Sequence, residues 1–274
     1  RDAGLTFPEG VRCSTDIAYA DDGIKAHLLD IYRPEDSQEK ILPVIINVHG
    51  GGLIIGNKEF NRYFCALLCK KGFLVYSIEY RLIPDCLIYD QIADVFMAMD
   101  YIKERLAADG GDSSHVYMAG DSGGACLITY ANAIQNSTNI ARAANVTPSG
   151  LRINALGLIS GMFYTSRFDK IGLFLPKYLY GRDYKKTSFA KYVNPENREL
   201  LNSLAPVWLV TSHNDFLRRY TTDFEKALTR AEREHELVVF PKNKKLTHAF
   251  SVFEPFLSES SAVIDMMVEY LRKF

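Results

Sequence analysis

One serine of this 274-residue chain lies in a glycine-rich pattern that could make it a nucleophile. Gly120-Asp121-Ser122-Gly123-Gly124 directly follows the apolar run 116–119 and opens a longer amphipathic stretch. A strand that turns sharply into a helix would hold Ser122 in a strained turn, and glycines two residues before and after it remove bulk where strand and helix cross. The first amides of that helix would face negative charge building at the serine. The pattern predicts a nucleophilic serine. Asp121 is expected to cap the helix, and the alternative is that it also positions the serine turn.

A second glycine run, His49-Gly50-Gly51-Gly52, follows the apolar run 42–48. Glycines let a backbone approach a substrate closely, so that its amides can donate to an oxyanion. A phosphate loop would need a following Lys-Ser or Lys-Thr, which is missing, and no G-x-G-x-x-G dinucleotide pattern occurs here. The run is therefore interpreted as half of an oxyanion hole, in which His49 holds the loop and does not transfer protons.

A serine nucleophile needs a base. When the serine lies in a strand–turn–helix pattern of this kind, the acid and then the histidine follow it in the chain. Three of the six histidines follow Ser122. His248 lies in a polar loop between the last apolar run and the last amphipathic stretch, where a triad histidine is expected. His235 lies in a charged run and is expected to lie at the solvated end of a helix. His213 is two residues from Asp215 and is interpreted as a neighbour of that acid.

The acid that would orient the base is placed after another apolar run. Asp215 follows residues 207–211, at the end of a strand where α/β sheets carry their functional loops. Asp223 lies further on, in an amphipathic stretch, and is the weaker candidate. Ser122, Asp215 and His248 are thus the predicted catalytic set.

The elements around these residues alternate between short apolar runs and longer stretches with helical spacing. This alternation predicts an α/β fold with a mostly parallel sheet flanked by helices. The predicted strands are residues 27–32, 42–48, 73–78, 116–119, 153–159, 207–211 and 237–240. The predicted helices are residues 60–71, 88–107, 123–133, 225–234 and 258–273.

Residues 160–205 depart from this alternation, because they hold nine Phe and Tyr residues and a surplus of four positive charges. An aromatic insertion between two core strands is typical of a lid over a site. The alternative is an irregular helical excursion packed on the sheet edge. We expect a single domain over 1–274 with a cap insertion at about 161–204.

Taken together, the motifs resemble the hormone-sensitive-lipase-like branch of the α/β-hydrolases, which carries HGGG and GDSAG-type motifs. The matching stretches are residues 49–52, 79–82 with Pro84, 120–124, 215–218 and 248–250. The resemblance implies an α/β-hydrolase fold and a carboxylesterase with Ser122 as nucleophile, His248 as base and Asp215 as acid. It further implies that the amides of Gly51, Gly52 and Gly123 donate to the oxyanion.

Three features depart from that family's pattern. Gly123 stands where alanine is usual, which keeps the amide and loosens the turn. Ala249 replaces the usual glycine after the histidine, a change expected to have little effect. Only 48 residues precede His49, so the helical N-terminal cap of the family is expected to be short or missing.

Composition narrows the possible partners. The formal net charge of −1 gives no electrostatic reason to expect nucleic acid or an anionic membrane, and no apolar run is long enough to span a bilayer. Cys65 and Cys69 are one helical turn apart, but no histidine or second cysteine pair completes a metal site. The five cysteines are interpreted as reduced, which favours a cytoplasmic location. The chain begins at Arg1, not Met, which leaves secretion open.

These features together predict a serine esterase that needs no metal and no cofactor. Its expected partner is a small-molecule ester with a short acyl chain, such as an acetylated carbohydrate or small alcohol, and a broad esterase is the alternative. No large apolar surface for an oil interface is evident, which argues against long-chain lipase activity. The competing hypotheses are an amidase or peptidase and a non-catalytic binding protein, both on the same scaffold. A homodimer is compatible with this fold.

Overall fold

The computed structural model describes residues 4–37 and 40–274 and is built around an eight-stranded sheet. In space the strands run in the order β1-β2-β4-β3-β5-β6-β7-β8. β2 pairs antiparallel with β1 and β4, and all other pairs are parallel. The strands are β1 (Val11–Ala18), β2 (Leu28–Pro34), β3 (Leu42–Val48), β4 (Leu74–Ile78), β5 (Gly111–Asp121), β6 (Ala155–Ile159), β7 (Val207–Ser212) and β8 (His235–Phe240).

Helices cover both faces of the sheet, because its central strands are apolar on both sides. Alternate residues of β3 belong to opposite cores: Ile46 packs in the core that also contains α2 and α3, and Ile45 in the core with α1 and α10. The helices are α1 (Arg62–Lys70), α2 (Ile88–Arg105), α3 (Ser122–Asn136), α4 (Thr138–Ala144), α5 (Lys170–Phe174), α6 (Pro176–Tyr180), α7 (Arg198–Asn202), α8 (Arg218–Arg230), α9 (Phe250–Phe253) and α10 (Ser258–Leu271). Within the described residues, no helix is both long enough and apolar enough to cross a membrane.

The α/β fold with a mostly parallel sheet is confirmed. The predicted strand 42–48 agrees with β3 at both ends. The helices predicted at 88–107 and 258–273 begin where α2 and α10 begin and extend two residues beyond their ends. The thiols behave as small apolar groups: all five cysteines are free, four are buried, and burial raises the pKa of Cys126 to about 12.

The helix predicted at 225–234 was wrong in its bounds. α8 begins at Arg218, because Tyr220, Phe224 and Leu228 already supply its buried face at helical spacing. The backbone turns at Glu232, where φ is +53°, and His235 opens β8 opposite Val207. His235 is thus a half-buried strand residue, and its predicted position at a solvated helix end was wrong.

Between β6 and β7 the chain forms only short helical pieces, α5 to α7, and most of its aromatic residues point inward. Phe163 stacks on Phe224 of α8 with ring centroids 4.2 Å apart. Tyr180 and Phe189 are buried against Tyr130 of α3. These contacts anchor the segment, whereas α5 and α6 lie over the carboxyl ends of the central strands and line a cavity there.

Candidate active site

Ser122 lies at the junction of β5 and α3, in a left-handed backbone conformation with φ of +50°. An added Cβ on Gly120 would lie 2.5 Å from the Val48 carbonyl oxygen, and one on Gly124 would collide with the same oxygen. The two glycines are therefore required for α3 to cross β3 at this point. The crossing leaves Ser122 at the floor of the cavity under α5 and α6.

The three residues predicted as a catalytic set meet in space. Ser122 Oγ lies 2.9 Å from His248 Nε2, and His248 Nδ1 lies 2.7 Å from Asp215 Oδ1. This geometry lets the serine hydroxyl donate to one ring nitrogen while the other donates to the carboxylate. The side chains come from the ends of β5 and β7 and from the loop after β8, which parallel pairing brings to one edge of the sheet.

Asp215 is buried, and two groups besides His248 orient its carboxylate. Thr211 donates to Oδ2 at 2.8 Å, and the Leu217 amide donates to Oδ1 at the same distance. Burial by itself would raise the pKa of Asp215, but hydrogen bonds from His248 and Leu217 outweigh it and hold the pKa below the ordinary value. Asp215 is therefore ionised at neutral pH. Thr211 was not anticipated, since no pattern marks a threonine within an apolar strand.

The glycine loop after β3 lies against the first turn of α3. Gly51 and Gly52 both have positive φ, and both line the cavity beside Ser122. A Cβ on Gly123 would lie 2.9 Å from the Leu53 amide nitrogen, so glycine at that position permits the closest approach of loop and helix. Gly51 and Gly52 thus lie beside Ser122, and Gly123 lies against Gly52 and Leu53.

Asp121 does not cap α3, so that expectation was wrong. Its side chain makes no capping hydrogen bond; Oδ1 accepts from the Gly50 amide at 3.0 Å and from Asn61 Nδ2 at 2.9 Å. Complete burial raises the pKa of Asp121 above its usual range. The residue joins the serine turn to the glycine loop.

His49 is fully buried and holds the same loop from its other side. Its Nε2 lies 2.9 Å from Glu79 Oε1, and its ring stacks on Tyr80 at 4.4 Å between centroids. Glu79 in turn accepts from the Lys58 amide at 2.9 Å. The position of His49 agrees with a structural role, because its ring is enclosed within these contacts and does not line the cavity.

The cavity above Ser122 has a volume of about 530 Å³ and a mostly apolar lining. That volume lies in the range of pockets that enclose drug-sized ligands. Apart from the candidate catalytic and glycine residues, the polar lining groups are Lys170 and Tyr178. The lining residues are Gly51, Gly52, Ile54, Ser122, Met162, Lys170, Ile171, Phe174, Leu175, Tyr178, Phe216, Leu217, His248 and Phe253.

Large apolar side chains are exposed around this cavity, contrary to the expectation that no such surface exists. Phe216, beside the His248 ring, is 73% exposed, and Phe174 and Tyr178 are exposed on α5 and α6. Phe168, just before α5, is 92% exposed. The sequence does not reveal this, because the aromatic residues that face solvent and those that face the core alternate irregularly along the segment.

The histidine and the acid that were the weaker candidates for the catalytic set have partners outside it. His213 Nδ1 lies 2.8 Å from an Arg218 guanidinium nitrogen, and Asp223 pairs with Arg167 at 2.8 Å. Neither contacts Ser122. In the described part of the chain, no group of three or more His, Cys, Asp or Glu residues is arranged to hold a metal ion.

Comparisons with known proteins agree with this architecture. The chain is 29% identical over 184 residues to a probable isoprenylcysteine alpha-carbonyl methylesterase of Oryza sativa subsp. japonica, covering 63% of this chain and 44% of that protein. It is 33% identical over 120 residues to esterase LipQ of Mycobacterium tuberculosis, covering 43% of this chain and 28% of that protein. The chain thus spans less than half the length of these relatives.

Solved structures show the same fold. The crystal structure of esterase B from Lactobacillus rhamnosis matches 99% of this chain and 88% of that one, with a TM-score of 0.92 and 23% identity. A truncated carbohydrate esterase from gut microbiota matches 93% and 96%, with a TM-score of 0.72 and 18% identity. Residues 45–251 match the family described as alpha/beta hydrolase fold. The chain belongs to that family, as its resemblance to the hormone-sensitive-lipase-like branch predicts.

Proposed function

We propose that this protein is a serine carboxylesterase. The observation that carries the proposal is the hydrogen-bonded series of Ser122, His248 and Asp215, with separations of 2.9 and 2.7 Å, at the floor of an apolar cavity. A serine aligned with a histidine and an ionised carboxylate is suited to acyl transfer. The names of the plant and mycobacterial relatives support the same class of activity.

In the first half of the reaction, Ser122 Oγ attacks the ester carbonyl carbon while His248 Nε2 takes the hydroxyl proton. Asp215 accepts from Nδ1 and stabilises the imidazolium that forms. The amides of Gly51, Gly52 and Gly123 receive the oxyanion, and each such donor lowers the barrier by about 2.7–4 kcal/mol. His248 then returns the proton to the leaving alcohol, which leaves an acyl group on Ser122.

In the second half, water replaces the alcohol. His248 takes a proton from the water as it attacks the acyl carbon, the same amides hold the second oxyanion, and Ser122 leaves with the proton from His248. Ester plus water gives acid plus alcohol, and every proton passes through His248. No metal or organic cofactor takes part in these steps.

The substrate that the cavity suits is an ester with a short acyl chain and an apolar remainder. The cavity lining offers few hydrogen-bonding groups, whereas a buried sugar ring would need several such partners for its hydroxyl groups. The structural neighbour from L. rhamnosis was solved with a tributyrin phosphonate inhibitor, which is consistent with short acyl groups. An acetylated carbohydrate is therefore the less favoured substrate. α5 and α6 would act as the cap, within a single domain.

The first experiment measures kcat/KM for p-nitrophenyl acetate, butyrate, octanoate and palmitate. We expect the highest value for acetate or butyrate and a steep fall by palmitate. Ser122→Ala should reduce kcat by at least about 10⁴-fold, whereas Ser261→Ala, an exposed serine on α10, should retain full activity. Equal activity of Ser122→Ala and the unchanged protein would refute the proposal.

Two competing activities on the same scaffold are separated by further substrates and probes. An amidase or peptidase would cleave p-nitroanilides as well as the matching p-nitrophenyl esters. A non-catalytic binding protein would not become labelled at Ser122 by a serine-reactive phosphonate. We expect labelling at Ser122 and at least 100-fold preference for the ester.

An isoprenylcysteine methylesterase is a second candidate, favoured by the names of several plant relatives and by the apolar cavity. An isoprenyl group would occupy the apolar lining, while the methyl ester reached Ser122. Hydrolysis of an S-farnesylcysteine methyl ester at least tenfold faster than of the S-methylcysteine analogue would support this candidate.

A further inference from the structure

The wall formed by α5 and α6 separates two concave surfaces, and exposed apolar residues lie on both sides of it. On the side of Ser122, Phe174, Tyr178 and Phe216 border the cavity mouth. On the far side, Phe168 and Leu173 border a second groove of about 500 Å³. All five side chains are more than half exposed, so the wall presents apolar side chains to water on both of its sides.

Basic residues are interspersed with this apolar surface. Residues 166–186 hold six Lys and Arg against two Asp, a surplus of four positive charges in a chain whose formal net charge is −1. Lys170 borders the cavity mouth, and Lys177, Arg182, Lys185 and Lys186 border the groove. The near-neutral total therefore conceals a local concentration of positive charge on this face.

Four of these cations are available for an outside partner. Within residues 4–37 and 40–274, no ion pair is formed by the exposed side chains of Lys170, Lys177, Arg182 and Lys185. By contrast, Lys186 pairs with the exposed Asp183 at 2.9 Å, and Arg167 pairs with Asp223.

We propose that this face, termed the rim patch (Phe168, Lys170, Leu173, Phe174, Lys177, Tyr178, Arg182, Lys185, Lys186 and Phe216), docks on an anionic phospholipid bilayer. Exposed aromatic and aliphatic side chains combined with Lys and Arg are the features that bind peripheral proteins to such a surface: the rings enter the headgroup region and the cations meet anionic lipids. The charge surplus selects this occupant over a second copy of the chain, whose rim patch would carry the same positive charge.

The docked orientation would bring the cavity mouth to the lipid surface. Phe174 and Tyr178 belong to both the rim patch and the cavity, so a lipophilic ester could pass from the bilayer to Ser122 along an apolar path. This supply of substrate rests on the proposed esterase function. The docking itself does not rest on the esterase function, because the rim patch can contact lipid whether or not Ser122 is reactive.

The test measures sedimentation of the full chain with sucrose-loaded vesicles of phosphatidylcholine alone and with 30% phosphatidylserine. We expect binding to the anionic vesicles to exceed binding to the neutral ones at least tenfold and to weaken with salt. Ser122→Ala should bind as well as the unchanged protein, which separates failure of docking from failure of the esterase. Equal partitioning into the two vesicles, or none into either, overturns the proposal.

Matched variants locate the surface. Lys177→Gln/Arg182→Gln should weaken binding about 25-fold, at about fivefold for each charge. Lys70→Gln/Arg152→Gln makes the same charge change with exposed residues near the opposite edge of the sheet and should have no more than a twofold effect. If both pairs weaken binding equally, the attraction is not localised and the proposal fails.

Phe168→Ser tests the apolar contribution without touching the cavity. It should weaken vesicle binding roughly tenfold while hydrolysis of p-nitrophenyl butyrate stays unchanged. Sedimentation velocity of the same variant addresses the rival occupant: a dimer in the unchanged protein that Phe168→Ser dissociates would show that a second copy covers the rim patch, and would overturn the proposal.

Discussion

At the level of single residues, Asp121 links the two glycine-rich segments of the site. It precedes the candidate nucleophile directly, and its Oδ1 accepts hydrogen bonds from the glycine loop and from Asn61. One buried carboxylate therefore sets the distance between Ser122 and two of the proposed oxyanion donors. Local sequence rules favoured helix capping, since Asp is common at that position. The loop is 71 residues away in the chain, and its proximity is a consequence of the fold.

Asp121→Ala should reduce kcat for p-nitrophenyl butyrate about 10- to 100-fold with little change in KM. The Gly50 amide loses its acceptor, and the loop moves from the position that a developing oxyanion requires. Asp121→Asn keeps an oxygen at Oδ1 and should stay within about threefold of the unchanged kcat. Equal loss in both variants would contradict this explanation and indicate a need for the negative charge.

Ala249 has a left-handed backbone with φ of +49°, a conformation that favours glycine. The expected small effect of alanine here therefore needs revision, because its Cβ strains the turn between His248 and α9. Ala249→Gly should raise the free energy of unfolding by about 0.5–1 kcal/mol in urea titrations. Ala141→Gly, inside α4, should lower it by about 1 kcal/mol. A loss of stability in both variants would show that the strain is not relieved.

At the level of elements, polar contacts fasten α5 to α8. Asp169 Oδ1 accepts from the amides of Ile171 and Gly172 at the start of α5, and its Oδ2 accepts from the Tyr220 hydroxyl at 2.6 Å. The Arg167 guanidinium lies 3.7 Å from the Tyr164 ring centre. Since α5 is only five residues long and none of them is fully buried, these contacts add to the partial packing of Ile171 in holding it over the cavity.

Tyr220→Phe should loosen α5 while leaving the sheet intact. Loss of a hydrogen bond to a charged carboxylate costs about 1.5 kcal/mol, so amide hydrogens of residues 169–175 should exchange about tenfold faster. Tyr117→Phe is the matched control, because the Tyr117 hydroxyl makes no hydrogen bond in the part of the chain described by the structure. Unchanged exchange over 169–175 in Tyr220→Phe would show that different contacts hold the helix.

At the level of the whole molecule, α10 closes the face of the sheet that contains the single tryptophan. Met267 is fully buried, and a Cβ on Gly157 of β6 would press against its sulfur, so helix and strand are in close contact. Trp208 of β7 is buried in the same core. Its fluorescence therefore reports unfolding of this layer.

Met267→Ala should lower the free energy of unfolding by about 2–5 kcal/mol, because a cavity remains under α10. The Tm followed by Trp208 fluorescence should fall by roughly 5–15 °C. Met97→Ala removes a methionine that is 37% exposed on α2 and should change stability by no more than about 0.5 kcal/mol. Similar losses in the two variants would mean that the α10 layer is not closely packed.

Periodicity and local motifs were enough to predict the α/β class, most core elements and the grouping of Ser122, Asp215 and His248. These features are local: the burial of an apolar run follows from its own residue types, and the strained serine turn follows from the glycines beside the serine. Chain order after the serine then left few histidines and acids to consider.

Long-range packing decided the remaining features. The anchoring role of Asp121, the hydrogen bond from Thr211, the early start of α8 and the exposure of the rim patch depend on contacts between residues far apart in the chain. A phenylalanine has the same propensity whether it stacks on Phe224, as Phe163 does, or faces water, as Phe168 does. Only the positions of neighbouring elements determine which of the two occurs, because burial is a property of the assembled layers and not of the local chain.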